Sequence, residues 1–310
     1  MNTPSSAMDE SPLDAREIAP AVLSESRLFY WSVRRELWEN RFIYIAPLAA
    51  AAVYLFAFLI SLIWLPHHKM RALLALDLAQ QHEAITQPYD FAAGLFMVTA
   101  MIVGVFYSLD ALHGERRDRS ILFWKSLPVS DVTTVLAKAS IPIVILQLLA
   151  FVLTVVTQFI MLLLSSAVLR ANGMSVANYW AQVSWFQMSL MLFYHLFTVH
   201  VLGHAPFYAW FLLVSGWARR AAFLWAFLPP IAIMVVEKIA FNTTYFANML
   251  VDALSGGAEA VPFPGRMPID PGMQLTPGHF LLSPGLWIGL AVTAAFLFAA
   301  VRLRRNREPI

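Results

Sequence analysis

The chain of 310 residues contains no cysteine, which excludes disulfides, thiolate metal sites and cysteine nucleophiles. Charge is scarce as well. Asp, Glu, Lys and Arg make up 13% of the residues, where a soluble domain carries about 25%. The formal net charge of +2 is too small to point to a nucleic-acid partner. No glycine pair stands at the G-x-x-x-x-G-K-[ST] spacing of a P-loop, whose backbone amides cradle phosphate. The first forty residues are polar, with no short apolar run before a small-residue cleavage site, so no removable signal peptide is expected.

What the chain has instead is apolar length. Hydrophobic residues make up 59%, and the mean hydropathy is +0.65. They come in blocks rather than spread through one core. A helix needs about 20 apolar residues to cross a hydrocarbon layer about 30 Å thick. Six blocks qualify: Phe42–Trp64, Phe91–Leu109, Pro142–Leu169, Val183–Val214, Phe223–Phe241 and Pro284–Val301. The fourth is too long for one straight span, and Gly203 and Pro206 predict a break or kink. Lipid cannot satisfy open backbone groups, and the residue-by-residue alternation of a barrel is missing. The expectation is an all-α integral membrane protein with six transmembrane helices.

Basic residues orient it. With the N-terminus inside, 16 of the 21 Lys and Arg fall in inside segments and 4 outside, with Lys238 in the fifth span. Both termini are therefore expected in the cytoplasm, and residues 113–135, between spans two and three, form a cytoplasmic loop. The organisation reads as a tail over 1–23, an interfacial helix over 24–41, a membrane domain over 42–301 and a cytoplasmic tail over 302–310. In 24–41, Ser32, Arg35, Glu36 and Glu39 follow i, i+3, i+4, i+7 as one polar stripe, while Leu28, Phe29, Tyr30, Trp31, Val33, Leu37 and Trp38 cover most of the rest. Such a helix either lies in the membrane interface or extends span one. Outside, Met70, Leu73, Leu74 and Leu78 predict a short surface helix over 67–85. A proline-rich external loop runs over 242–284, of a length that is uncommon without a function. Asn242-Thr243-Thr244 matches a glycosylation sequon, a motif short enough to arise by chance.

Two stretches resemble a known family. GERRDRSILFWKSLPVSD, Gly114 to Asp131, looks like the cytoplasmic loop of bacterial ABC-2-type transporter permeases. APFYAWFLLVSGWARRAAFLWAFLPP, Ala205 to Pro230, with Glu237 seven residues on, is similar to the region of spans four and five in the same family. The resemblance covers about residue 24 to the C-terminus. It implies an ABC-2 (type V exporter-like) fold with an interfacial connecting helix, in the bacterial inner membrane, and export driven by ATP. A second permease copy, most simply a homodimer, would complete the pathway. ATP and Mg would be bound by two copies of a separate ATPase, with no cofactor or metal in this chain and no catalytic residue. With no P-loop, and nine residues after Val301, the motor is expected to be another polypeptide.

On this reading the loop is the ATPase-coupling segment. Glu115, Arg116, Arg117, Asp118 and Arg119 offer charge-assisted contacts. Ile121, Leu122, Phe123, Trp124 and Leu127 offer an apolar anchor. Pro128 stops the helix, and Ser130 or Asp131 caps the next. The plainer reading is an Arg-rich loop that only sets topology, which leaves the large apolar side chains unexplained.

Tyr194, His195, His200, His204 and Glu237 are candidates for a substrate pathway, since polar groups in spans are costly. His200 and His204 share a face at i, i+4, while His195 lies about 140° from His200 on an ideal helix. Structural hydrogen bonding is the bland alternative for all three, and a metal site lacks a third ligand on the same face. Glu237, near the outer end of span five, faces the pathway, pairs across a dimer or sits at the interface. Ala100 and Gly104 form a small-xxx-small pair that permits close packing within the bundle or between copies. The favoured function is the permease subunit of an exporter of amphipathic or hydrophobic compounds such as drugs, peptides or lipids. The alternatives are a non-transporting membrane anchor or sensor subunit, and an intramembrane metal-dependent enzyme built on the span-four histidines.

Overall fold

The computed structural model describes residues 24–63, 77–173, 175–255 and 282–306. The expected 1–23 tail, residues 67–76 of the expected surface helix, residues 256–281 of the external loop and residues 307–310 lie outside the described residues. Those described are helical, with no strand among them. Six helices among them are long and apolar enough to cross a membrane. The fold is that of an all-helical, multi-pass membrane protein.

Helix α1 (Glu25–Glu39) is separated from α2 (Phe42–Ile63) by Asn40 and Arg41 alone. Helix α3 (Leu78–Ala111) starts where Asp77 accepts from the Gln80 backbone N–H at 2.7 Å. It is therefore 13 residues longer at its N-terminal end than the expected second span, and takes up the C-terminal part of the expected surface helix. The loop after it folds into two short helices, α4 (His113–Arg117) and α5 (Ile121–Ser126), joined through Arg119 in the left-handed region at φ 57°. Pro128 follows the end of α5, and Ser130 caps α6 (Asp131–Ser140), accepting from the Thr133 N–H at 3.0 Å.

At Pro142 the chain passes through one wide i→i+5 turn, Ile141–Ile145, before α7 (Leu146–Ala171). A proline has no N–H to give, and a π turn absorbs the lost bond without ending the helix. The fourth block breaks twice. Helix α8 (Val176–Val183) stops at Ser184, φ 42°, and α9 (Trp185–His195) runs into a π segment, Leu196–Gly203. A new start at His204 then launches α10 (Ala205–Trp217) with Pro206 in its first turn. The break expected at Gly203 and Pro206 is present; the one at Ser184 is not marked by Gly or Pro. Helix α11 (Ala222–Phe241) follows, and Asn242 in the left-handed region ends it. Part of the expected external loop is a further helix, α12 (Tyr245–Ser255), and α13 (Pro284–Asn306) runs past the expected end of span six.

Helix α3 is the axis of the bundle, packed by α2, α7 and α10. Small residues line it: Ala92, Ala93 and Ala100 are fully buried. The Ala100–Gly104 pair serves this bundle rather than a second copy, because a Cβ on Gly104 would lie 2.8 Å from Tyr208 Cε1 of α10. Two prolines sit inside α11. Pro230 leaves the Ala226 carbonyl without its i+4 donor, and the Trp210 indole N–H supplies one at 3.0 Å.

Candidate functional site

The two ends of the bundle differ in chemistry. At one end, α1, α4, α6 and α13 converge on a buried set of charges. Lys138 Nζ lies 2.9 Å from Glu36 Oε1 and 3.1 Å from Glu115 Oε1. Arg35 pairs with Glu36 at 2.6 Å and reaches Glu115 at 3.6 Å. Arg304 reaches Glu115 at 3.6 Å and pairs with Asp131. Three cations thus face three anions, and Tyr107 Oη donates to Glu36 Oε2 at 2.8 Å. Burial alone would raise the Glu36 pKa, but Lys138 and Arg35 more than offset it and hold the carboxyl below its ordinary range.

This set decides what the loop 113–135 presents. Glu115 and Arg116 turn inward. Arg116 Nη1 donates to the Gly216 carbonyl at 2.9 Å and the Ala218 carbonyl at 3.2 Å. The Leu112 and His113 backbone N–H groups donate to Ser215 Oγ at 2.9 and 2.8 Å. Ile121 is buried, and half-buried Trp124 lies under the Arg35 guanidinium, 4.0 Å from its ring centre. Left outward are Arg117, Asp118 and Arg119, with Leu122 and Phe123 about 60% exposed and Leu127 at 38%. Of the ten residues offered for coupling, Glu115, Arg116, Ile121 and Trp124 anchor the loop to its own chain, and the other six are exposed at its tip. Sequence spacing could not separate the two groups, because their partners lie on α1, α6, α10 and α13.

The histidines meet deeper in the bundle. His200 stands 5.4 Å from His195 and 4.5 Å from His204, ring centre to ring centre, edge to face. The expected 140° separation of His195 from His200 does not hold. Ideal α-helical spacing fails because residues 196–203 are wound as a π helix, in which i and i+5 come into register. His204 Nε2 donates to the Leu254 carbonyl of α12 at 2.8 Å, which leaves Nδ1 as a buried acceptor with no partner among the described residues. No group of three or more His, Cys, Asp or Glu among the described residues is placed to hold a metal ion. Tyr194 adjoins this row on α9. Glu237 does not join it. Its carboxylate accepts from Thr243 Oγ1 at 2.8 Å and from the Tyr245 and Phe246 N–H groups at 2.6 and 2.9 Å, capping the start of α12.

Two further polar features escaped sequence reasoning. Asp90 falls one residue before the expected second span but well inside α3, and its Oδ1 is buried with no hydrogen-bond partner among the described residues. Helix α7 buries Gln147, Thr154, Gln158 and Ser165, at intervals of 7, 4 and 7 residues, so one face of this apolar span is polar and turned inward. That spacing was visible in the sequence and would have found the stripe. The chain matches no protein-family model, no curated protein and no solved structure.

Proposed function

We propose that this chain is the membrane subunit of an ATP-driven exporter of the ABC-2 type, working as a homodimer in the bacterial inner membrane and driven by a separate ATPase that holds ATP and Mg. The observation that carries the reading is the build of the loop between the second and third long helices. Its base is tied to the bundle through Glu115, Arg116, Ile121 and Trp124. Its tip offers Leu122, Phe123 and Leu127 beside Arg117 and Asp118. An apolar tip ringed by charge fits a soluble protein partner. A rigid base lets a push on the tip reach four helices at once, which a loop that only sets topology has no need to do. The substrate pathway lies between the two copies, and amphipathic or hydrophobic compounds are the class such greasy walls admit.

The test takes a P-loop ATPase that copurifies with this chain, coexpresses the two and reconstitutes them in vesicles; if no such ATPase copurifies, the reading fails. The double change Leu122→Ser and Phe123→Ser is expected to abolish copurification and vesicle-dependent ATP hydrolysis while the permease unfolds at its usual temperature. A complex that survives with normal hydrolysis rejects the tip as the docking site. ATP hydrolysis without ATP-dependent movement of any amphipathic probe favours the anchor or sensor alternative.

A further inference from the structure

Helix α1 has two faces with opposite duties. Ser32 and Glu36 are buried toward α6. On the far side, about half a turn away at 3.6 residues per turn, Arg27, Trp31, Arg34 and Trp38 follow i, i+4, i+7, i+11, and Arg41 comes next in the link to α2. Trp31 is 53% and Trp38 64% exposed, while Arg27 and Arg41 are exposed too. The Arg34 guanidinium stands against both indoles, 5.0 Å from the Trp31 ring centre and 4.6 Å from that of Trp38. Arg35, one residue along, pairs with Glu36, Glu39 and Glu115. By contrast Arg27, Arg34 and Arg41 form no ion pair among the described residues.

We infer that this Arg–Trp face is a binding site for the phosphate headgroups of anionic phospholipids. Only Asn40 and Arg41 separate α1 from α2, so the helix cannot leave the surface that α2 enters. Indoles settle at headgroup depth, where an apolar ring and a polar edge are both satisfied. Three arginines without carboxylate partners, spaced along one face at that depth, meet a layer of phosphates, and guanidinium binds phosphate through paired hydrogen bonds. The two tryptophans stiffen Arg34, so less side-chain freedom is lost on binding. The inner face ties α1 to Lys138 and Glu115, so lipid held on the outer face bears on the same charge set that anchors the loop. The site does not depend on the transport reading.

The full chain in neutral detergent is titrated with equal amounts of phosphatidylglycerol and phosphatidylcholine, and bound lipids are counted by native mass spectrometry. Each basic residue near an anionic surface contributes about fivefold in affinity. Arg34→Gln is therefore expected to lower the preference for phosphatidylglycerol about fivefold, and the triple change Arg27→Gln, Arg34→Gln, Arg41→Gln by more than tenfold. Arg34→Lys keeps the charge but loses the paired hydrogen bonds, so it lowers the preference by less than Arg34→Gln, and added salt weakens it in the unaltered chain. Arg219→Gln with Arg220→Gln, an exposed basic pair off this face, lowers it by less than the triple change. If the triple variant does not fold, Arg27→Gln alone decides, since that side chain is exposed and forms no ion pair among the described residues. An unchanged preference in the Arg→Gln variants, or an equal loss from the 219/220 pair, overturns the site.

Discussion

Lys138 Nζ lies 2.9 Å from Glu36 Oε1, and both side chains are almost wholly buried. They join α6 to α1, which share no sequence neighbourhood. Removing one partner strands the other charge, a cost of about 3–5 kcal/mol. Lys138→Met and Glu36→Gln are each expected to lower the unfolding temperature in detergent by several degrees. The double change to apolar residues should recover part of the loss, because no charge is then left stranded. A loss in the double variant equal to the sum of the two single losses would show that the pair is not coupled.

The same carboxyl sets a pH dependence. Lys138 and Arg35 hold the folded pKa of Glu36 below its unfolded value, about 4.3. A group depressed in this way contributes stability that is present above the unfolded pKa and is lost as pH falls through the folded one. Thermal unfolding followed from pH 7 downward should show the unaltered chain losing stability below about pH 4.3, and Glu36→Gln losing less over that range.

Trp210 stands in for a missing backbone donor. Its indole N–H meets the Ala226 carbonyl that Pro230 cannot serve. Trp210→Phe keeps most of the ring volume and leaves that carbonyl unpaired. The expected cost is about 1–3 kcal/mol, measured by thermal unfolding. Pro230→Ala should remove most of that sensitivity, since the backbone then supplies its own donor.

Gly104 is the narrowest point between α3 and α10. A methyl group there would meet Tyr208 Cε1 at 2.8 Å. Gly104→Ala is expected to destabilise by about 1–3 kcal/mol through overpacking, and Tyr208→Leu in the same chain should relieve it. Thermal unfolding of the two variants side by side checks both.

Asp90 places a carboxyl in the interior of α3 with a buried oxygen that meets no donor among the described residues. Burying such a group costs more when it is charged than when it is neutral. Asp90→Asn is therefore expected to leave stability at neutral pH unchanged or raised, and Asp90→Lys to lower it. A drop in unfolding temperature for Asp90→Asn would show that the carboxylate is paired.

The long apolar blocks made the membrane helices legible, because a hydrocarbon layer imposes one length on anything that crosses it. Their edges were less legible. Residues 78–90 carry Gln, His, Glu and Asp and read as external, yet they continue α3, since a cap at Asp77 and burial of Tyr89 outweigh local polarity. The polar stripe on α1 was correctly grouped from its spacing, but Ser32 and Glu36 face protein rather than water. Spacing tells which residues share a face, and only a neighbouring helix tells what that face meets.

For the candidate site, sequence pattern alone determined that a charged segment with an apolar run lies between the second and third long helices, and that three histidines cluster in the fourth. Both follow from composition along the chain. The tertiary structure decided which loop residues are spent on the loop's own support, because the partners of Glu115 and Arg116 lie up to about two hundred residues away. It also decided that the histidines form one row, because a π-helical winding changes the angle per residue and no residue-type pattern announces it.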